Sequence, residues 1–213
     1  DDTQIGTATG CRGMSYIEIG DWWLGQTINA YFDDVSIYDP AQFTEGFENG
    51  FTNWTTQRGT ATTSTSQKHS GSYSYALNEE QDDVSRNFPL CYRKGDIWFY
   101  DDANDTSAFA LACMDKENIG GQCIGIGVDT NTSTDKYIYR IGSTFISTDI
   151  TRSTGWHKFS FDYSNPGYDG VLYIDDIYIG RSTGSCGMSH IELGDWWTGQ
   201  TINAYFDDIS IHD

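Results

Sequence analysis

Trp196 and Trp197 are adjacent, and two carboxylates, Glu192 and Asp195, stand just upstream of them in IELGDWW. In an extended segment successive side chains point to opposite faces, so one indole turns inward and the other outward. An outward Trp beside Glu192 can stack on the C–H face of a sugar ring while the carboxylate takes its hydroxyls. The alternative use is packing of both indoles, the second against a neighbouring unit. Cys113 and Cys123 flank MDKENIGGQ between the apolar runs LAC and CIGIGV, which reads as a hairpin stapled across its strands by a disulfide. Cys91 and Cys186 are a second candidate bridge, leaving Cys11, and cysteines used this way point to an oxidising compartment. Asn53, Asn104 and Asn131 head the sequons NWT, NDT and NTS, candidate N-glycosylation sites.

These residues sit in a chain that repeats itself. Residues 1–39 and 175–213 match at 28 of 39 positions, at an offset of 174 residues. The expected organisation is therefore a C-terminal part of a preceding repeat at 1–39, followed by one complete domain at 40–213, within a tandem array. GDWW and GQTINAYFDD recur unchanged, whereas Tyr16 becomes His190 and Leu24 becomes Thr198. TGCRG becomes TGSCG, which moves the cysteine by one residue. Inside a strand that slip would turn the side chain over, so this cysteine is placed in a loop. With 12 basic against 31 acidic residues the net charge is −19, which argues against nucleic acid and anionic membrane surfaces as partners. No apolar run approaches the ~18 residues of a membrane-spanning helix. Without an initiator Met or a signal peptide, the chain is expected to be an internal or processed fragment.

Period-two runs separated by turn signals supply the elements that must position these groups. They include DIWFY (96–100), FALACM (109–114), CIGIGV (123–128), HKFSFDYS (157–164), VLYIDDIYIG (171–180) and AYFDDISIH (204–212). No helical period occurs, so the fold class is all-β, an antiparallel sandwich. GWHKFSFDYSNPGYDGVLYIDDIYIG followed by YFDDISIHD resembles the second half of a laminin-G-like, concanavalin A-like jelly roll. The opening FTEGFENGFTNWTTQRGTATTSTSQKHSGSYSYAL is similar to the start of jelly-roll carbohydrate-binding modules, and together the two stretches cover nearly all of 43–213.

That resemblance implies a structural calcium ion joining the first strand to the last. The matching ligands are Glu48, the backbone around Ser70 and Ser72, and Asp207 or Asp208, which on a regular strand would face opposite sides. It also allows a test for catalysis. Hydrolases of the fold carry carboxylates at alternate positions of one strand, Glu-x-Asp-x-Glu, placing acid and nucleophile together. The nearest stretch here, IELGD, spaces Glu192 and Asp195 three apart. No metalloprotease spacing, nucleophile elbow or phosphate loop is present, and His69, His157, His190 and His212 are scattered. No catalytic residue is assigned, and the chain is expected not to be an enzyme. The expected function is an extracellular or cell-surface adhesion repeat that binds glycan and is stabilised by calcium. Two alternatives stand beside it: a structural subunit joined head-to-tail through 1–39 into a homopolymer with copies of itself, and a polysaccharide-cleaving enzyme.

Overall fold

The computed structural model describes residues 43–77, 80–115, 123–164, 170–183, 187–196 and 199–212, with backbone alone at 89–91. The partial repeat 1–39, with Cys11 in it, lies outside the described residues, as do Cys186, Trp197 and the side chain of Cys91. The chain forms β1 (Phe43–Glu45), β2 (Thr55–Arg58), β3 (Thr62–Ser64), β4 (Ser74–Leu77), β5 (Asp83–Tyr92), β6 (Lys94–Asp101), β7 (Phe109–Asp115) and β8 (Ile124–Asp129). It continues with β9 (Lys136–Ile141), β10 (Thr144–Thr151), β11 (Gly155–Asp162), β12 (Val171–Ile174), β13 (Ile177–Arg181), β14 (Met188–Gly194) and β15 (Ala204–His212). One sheet runs β13-β12-β11-β6-β15-β4-β3, with β1 also on β15, and the other runs β10-β9-β8-β7-β14-β5-β2. Every pairing is antiparallel, so the expected all-β jelly-roll sandwich is the observed fold.

Alternation decides which side chains meet in the middle. Along β6, Ile97 and Phe99 are fully buried while Trp98 and Tyr100 on the opposite face are half-buried. Phe99 stacks on Phe159 of β11 at 5.0 Å and meets Phe206 of β15 at 5.2 Å. Fully burying each such ring is worth roughly 1.5–3 kcal/mol by transfer. β7 and β8 do not alternate between buried and exposed; both their faces are covered. A second apolar group (Phe109, Leu111, Cys113 and Ile138) lies on the outer side of the seven-stranded sheet, roofed by Phe145 and Trp196.

Two strand readings need correction. VLYIDDIYIG is not one strand but a hairpin, β12 and β13, turning at Asp175 (φ 50°) and Asp176 (φ 65°). Positive φ at both central residues is the turn whose twist suits a two-residue hairpin, and Asp tolerates it. The long strand β5 went unread because DVSRNFPLCY carries a proline and no clean alternation. Pro89 lies where the β14–β5 register shifts, between the Tyr92/Met188 and Asn87/His190 pairs, a place where a missing N–H is tolerated.

One ion pair ties the end of β6 to the β10–β11 connection. Arg152 donates Nε to Asp101 Oδ2 and Nη2 to Asp101 Oδ1, both at 2.8 Å, with both side chains buried. Removing one partner strands the other charge in the interior. Arg152→Ala is therefore expected to lose about 3–5 kcal/mol in urea denaturation; a loss below about 1 kcal/mol would show that water reaches the pair.

Candidate functional site

Glu192 points outward from β14, in register with Cys113 of β7 on one side and Ser85 of β5 on the other. Asp83, two residues along β5, faces the same way, and such diagonal neighbours are within reach of each other. The Glu192 carboxyl lies near enough to favour a protonated Asp83, whose Oδ1 is buried with no hydrogen-bond partner among the described residues. Burial, and then the neighbouring Glu192 carboxyl, push the Asp83 carboxyl up to about 7, against the pull of the Arg58 guanidinium. Arg58 Nη1 lies 3.1 Å from Asp83 Oδ2; Asp83 is fully buried while Arg58 is half in solvent. Beside them Gln57 Nε2 donates to Ser85 Oγ at 2.6 Å.

The same sheet face continues across β14, β7 and β9. His190 and Asp115 are cross-strand partners, with Nδ1 and Oδ1 at 3.3 Å. Burial raises the Asp115 carboxyl above its ordinary range, and His190 pulls it back. Arg140 of β9 donates Nε to the Gly142 carbonyl at 2.7 Å and lies 5.1 Å over the Phe145 ring. Its burial lowers the guanidinium, and the charges of Glu192 and Asp115 oppose that shift. Trp196 closes the apolar side, edge-on to Phe109 at 5.3 Å. The face thus offers a raised carboxyl beside a second one, two guanidinium groups and an aromatic wall: groups able to bind hydroxyls and to exchange a proton near neutral pH.

Of the three expected ligand residues, Glu192 and Trp196 share this face. Asp195, read beside them, is fully buried. Asp83, Asp115, Arg140 and His190 went unseen because they come from four strands far apart in sequence. Only the alternation within each strand hinted that they face one way. Cys113 and Cys123 form the expected disulfide, with Cα atoms 6.2 Å apart. Asn53, Asn104 and Asn131 are all exposed.

The residues expected to hold calcium also converge. A register shift in β15 between Asp207 and Ser210, with Asp208 at φ 43°, breaks the alternation that would have sent the two carboxylates apart. Both therefore meet the His69–Ser70 loop. His69 N–H and Ser70 N–H donate to Asp207 Oδ2 at 2.8 and 3.3 Å, and Ser70 Oγ donates to Asp208 Oδ1 at 2.8 Å. His69 Nδ1 lies 2.7 Å from Asp208 Oδ2. Glu48 Oε1 accepts the N–H groups of Ser72 and Tyr73 at 2.7 and 3.0 Å. Gly71 (φ +58°) sits so close to Glu48 that a Cβ would run into its carboxylate. In this arrangement hydrogen bonds do the joining. Among the described residues, no three or more His, Cys, Asp or Glu side chains are grouped to hold a metal ion.

No protein-family model matches the sequence, and a search of curated proteins finds no significant match. Solved structures do match in fold. An apo Crh5 transglycosylase superposes with a TM-score of 0.55 at 11% identity, covering 81% of this chain and 84% of that one. Domain 4 of AbnA, an extracellular arabinanase from Geobacillus stearothermophilus in complex with arabinotriose, gives 0.53 at 12% identity over 80% and 90%. A Bacillus licheniformis β-glucanase gives 0.51 at 12% identity over 81% and 98%. These likenesses establish the jelly-roll sandwich, and they correct the expectation that the chain is not an enzyme. The fold it shares is one that carries a transglycosylase and a glucanase. The Glu-x-Asp-x-Glu pattern pairs carboxylates along a single strand, whereas this sheet brings Asp83 and Glu192 together across two.

The raised Asp83 carboxyl has a thermodynamic signature. Asp83 holds its proton to about pH 7 in the folded chain, but an unfolded Asp loses it near pH 4. The folded state binds more protons between those values, so this group's contribution makes stability fall as pH rises from about 4 to 7. Asp83→Asn is expected to flatten that fall and to raise Tm at pH 8 by about 3 °C, as about 1 kcal/mol would in a domain of this size. Parallel melting curves for the two proteins from pH 4 to 8 would show that Asp83 ionises normally.

Proposed function

We propose that this chain engages carbohydrate on the outer face of the seven-stranded sheet, with Glu192 and Trp196 meeting the sugar and Asp83 and Arg58 holding Glu192 in place. The observation that carries this reading is the placing of the Asp83 and Glu192 carboxyls side by side across β5 and β14, with Arg58 on Asp83 and an aromatic wall on the same face. Sugars need both kinds of surface, hydrogen-bonding groups for their hydroxyls and π-faces for their C–H edges. The fold likeness to an arabinanase domain in complex with arabinotriose supports the same reading. An extracellular setting is supported by the Cys113–Cys123 disulfide. Adhesion through such contacts and joining of copies through 1–39 belong to the same proposal. A second reading, cleavage or transfer of glycosidic bonds at this pair, is favoured by one observation. Two carboxyls stand side by side across β5 and β14, and the fully buried Asp83, raised to about 7, can supply a proton to the more exposed Glu192 as the acid.

The test is affinity electrophoresis of the full chain in gels carrying a soluble β-glucan, an arabinan or a xylan, with release of reducing ends followed in parallel. Glu192→Gln and Trp196→Ala are each expected to weaken retardation by about tenfold, the loss of one strong contact. Any reducing-end release should vanish in Glu192→Gln. Retardation unchanged in both variants would remove this face as the site.

Calcium at the β15 junction is proposed with it. The support is that the carboxylates of Glu48, Asp207 and Asp208 all bond the loop that holds Ser70 and Ser72, carboxylate oxygen being the donor type that calcium takes. Binding to the native state alone is expected to raise Tm with calcium concentration, an effect that Glu48→Gln would abolish. Identical melting with millimolar calcium and with EDTA would leave the junction to its hydrogen bonds.

A further inference from the structure

The outer face of the eight-stranded sheet, on the opposite side of the sandwich, carries an organised set of side chains that the reading above does not use. Trp156 of β11 is the register partner of Tyr100 of β6, and Tyr100 is the partner of Tyr205 of β15. Three rings therefore stand in one row across three adjacent strands, with centroids 5.5 and 5.8 Å apart, each pair edge-to-face. All three are half-buried, so each keeps part of its surface in water. In the next row Trp98 stands between Lys158 and Asp207, and His69 stacks on it at 3.8 Å.

Further along the same strands the face becomes polar. Asp96 is flanked in register by Ser160 and Ser210, and Ser160 Oγ donates to Asp96 Oδ1. Here the surface dips into a cleft of about 450 Å³ that also takes in Tyr173 and His212. Outward residues on a strand recur about every 7 Å. The aromatic row and the cleft, two rows on, are thus about 14 Å apart by the same strand rise, a span that suits several linked units rather than one small molecule.

We infer that this face is a second carbohydrate-binding surface that takes a strand of neutral polysaccharide, its sugar rings against Trp156, Tyr100 and Tyr205 and its hydroxyls in the cleft at Asp96 and Ser160. The inference rests on the reading that the chain engages carbohydrate but uses none of the residues assigned there. Charge selects the occupant. The protein carries a net −19, and Lys158, beside the cleft, is already paired with Asp176 at 2.6 Å. The cleft lining sets Lys94 and the paired Lys158 against Asp96, Asp162 and Asp176, so an anionic glycan would meet a net negative wall. A row of rings with polar groups at one end suits a ligand whose units each have an apolar face and a hydroxyl edge.

The experiment uses the full chain, the same three neutral polysaccharides and isothermal titration, with three proteins compared: wild type, the double variant Trp156→Ala/Tyr100→Ala, and Glu192→Gln. Circular dichroism and melting curves check that each folds, and Tyr205→Lys serves as a single-site substitute if the double variant does not. Loss of one stacking row is expected to weaken binding about tenfold. In a Glu192→Gln background, with the opposite face disabled, polysaccharide should still quench tryptophan fluorescence. Wild-type binding in the double variant together with loss in Glu192→Gln would overturn the second surface and leave the first. The reverse pattern would overturn the first and support the second. No binding by wild type overturns both. A wild-type dimer by light scattering that the double variant abolishes would assign the row to a second copy of the chain, and so overturn the glycan as its occupant.

Discussion

The structure depends on where its last two long strands insert. β14 lies between β7 and β5 in one sheet, and β15 lies between β6 and β4 in the other. The final stretch of chain thus supplies an interior strand to both layers, and neither sheet is continuous without it. The pairing is also far from local: His69 and Ser70 are held by Asp207 and Asp208 across 137–139 residues. Topologies of this kind close loops before contacts reward them and fold slowly for that reason. Residues 175–213, which hold both strands, are the segment that recurs at 1–39, with 28 of 39 positions kept. A segment inserted into two sheets pairs both edges of each strand with fixed neighbours, which leaves few positions free to vary.

Electrostatics divides along the same architecture. The acidic excess is mostly at the surface, where solvent screens it. Three of the buried carboxylates show how their charge is answered. Asp101 has the fork of Arg152, and Asp207 has loop N–H groups. Asp83 has Arg58 on one side, and burial raises it to about 7. Only the last of these leaves a group poised to change protonation near neutral pH, and it lies on a sheet face rather than inside the sandwich. That difference separates a structural carboxylate from a candidate functional one.

The sandwich was legible in the sequence because strand periodicity is local: DIWFY and AYFDDISIH carry their alternation on their surface. The Cys113–Cys123 bridge was legible for the same reason, as a short loop between two apolar runs. What escaped were features made by register. Asp83 and Glu192 are more than a hundred residues apart in sequence and become neighbours only because β5 pairs with β14. The Trp156–Tyr100–Tyr205 row is built by two strand pairings at once. The bulge at Asp208 reversed an argument from alternation that was sound for a regular strand. Asp175 and Asp176 read as strand residues because nothing in the pair itself marks a turn; the left-handed conformation is a choice the hairpin imposes.

The central claim is that a sugar meets Glu192 on the open face of the seven-stranded sheet. Carboxyl-labelled NMR of the full chain, titrated with arabinotriose and with a short β-glucan oligosaccharide, tests it most directly. At least one of the two sugars should perturb the Glu192 and Asp83 carboxyl resonances together with the Trp196 indole N–H, and should shift the Asp83 titration away from about pH 7. Resonances on this face that stay still while the protein demonstrably binds sugar would contradict the account.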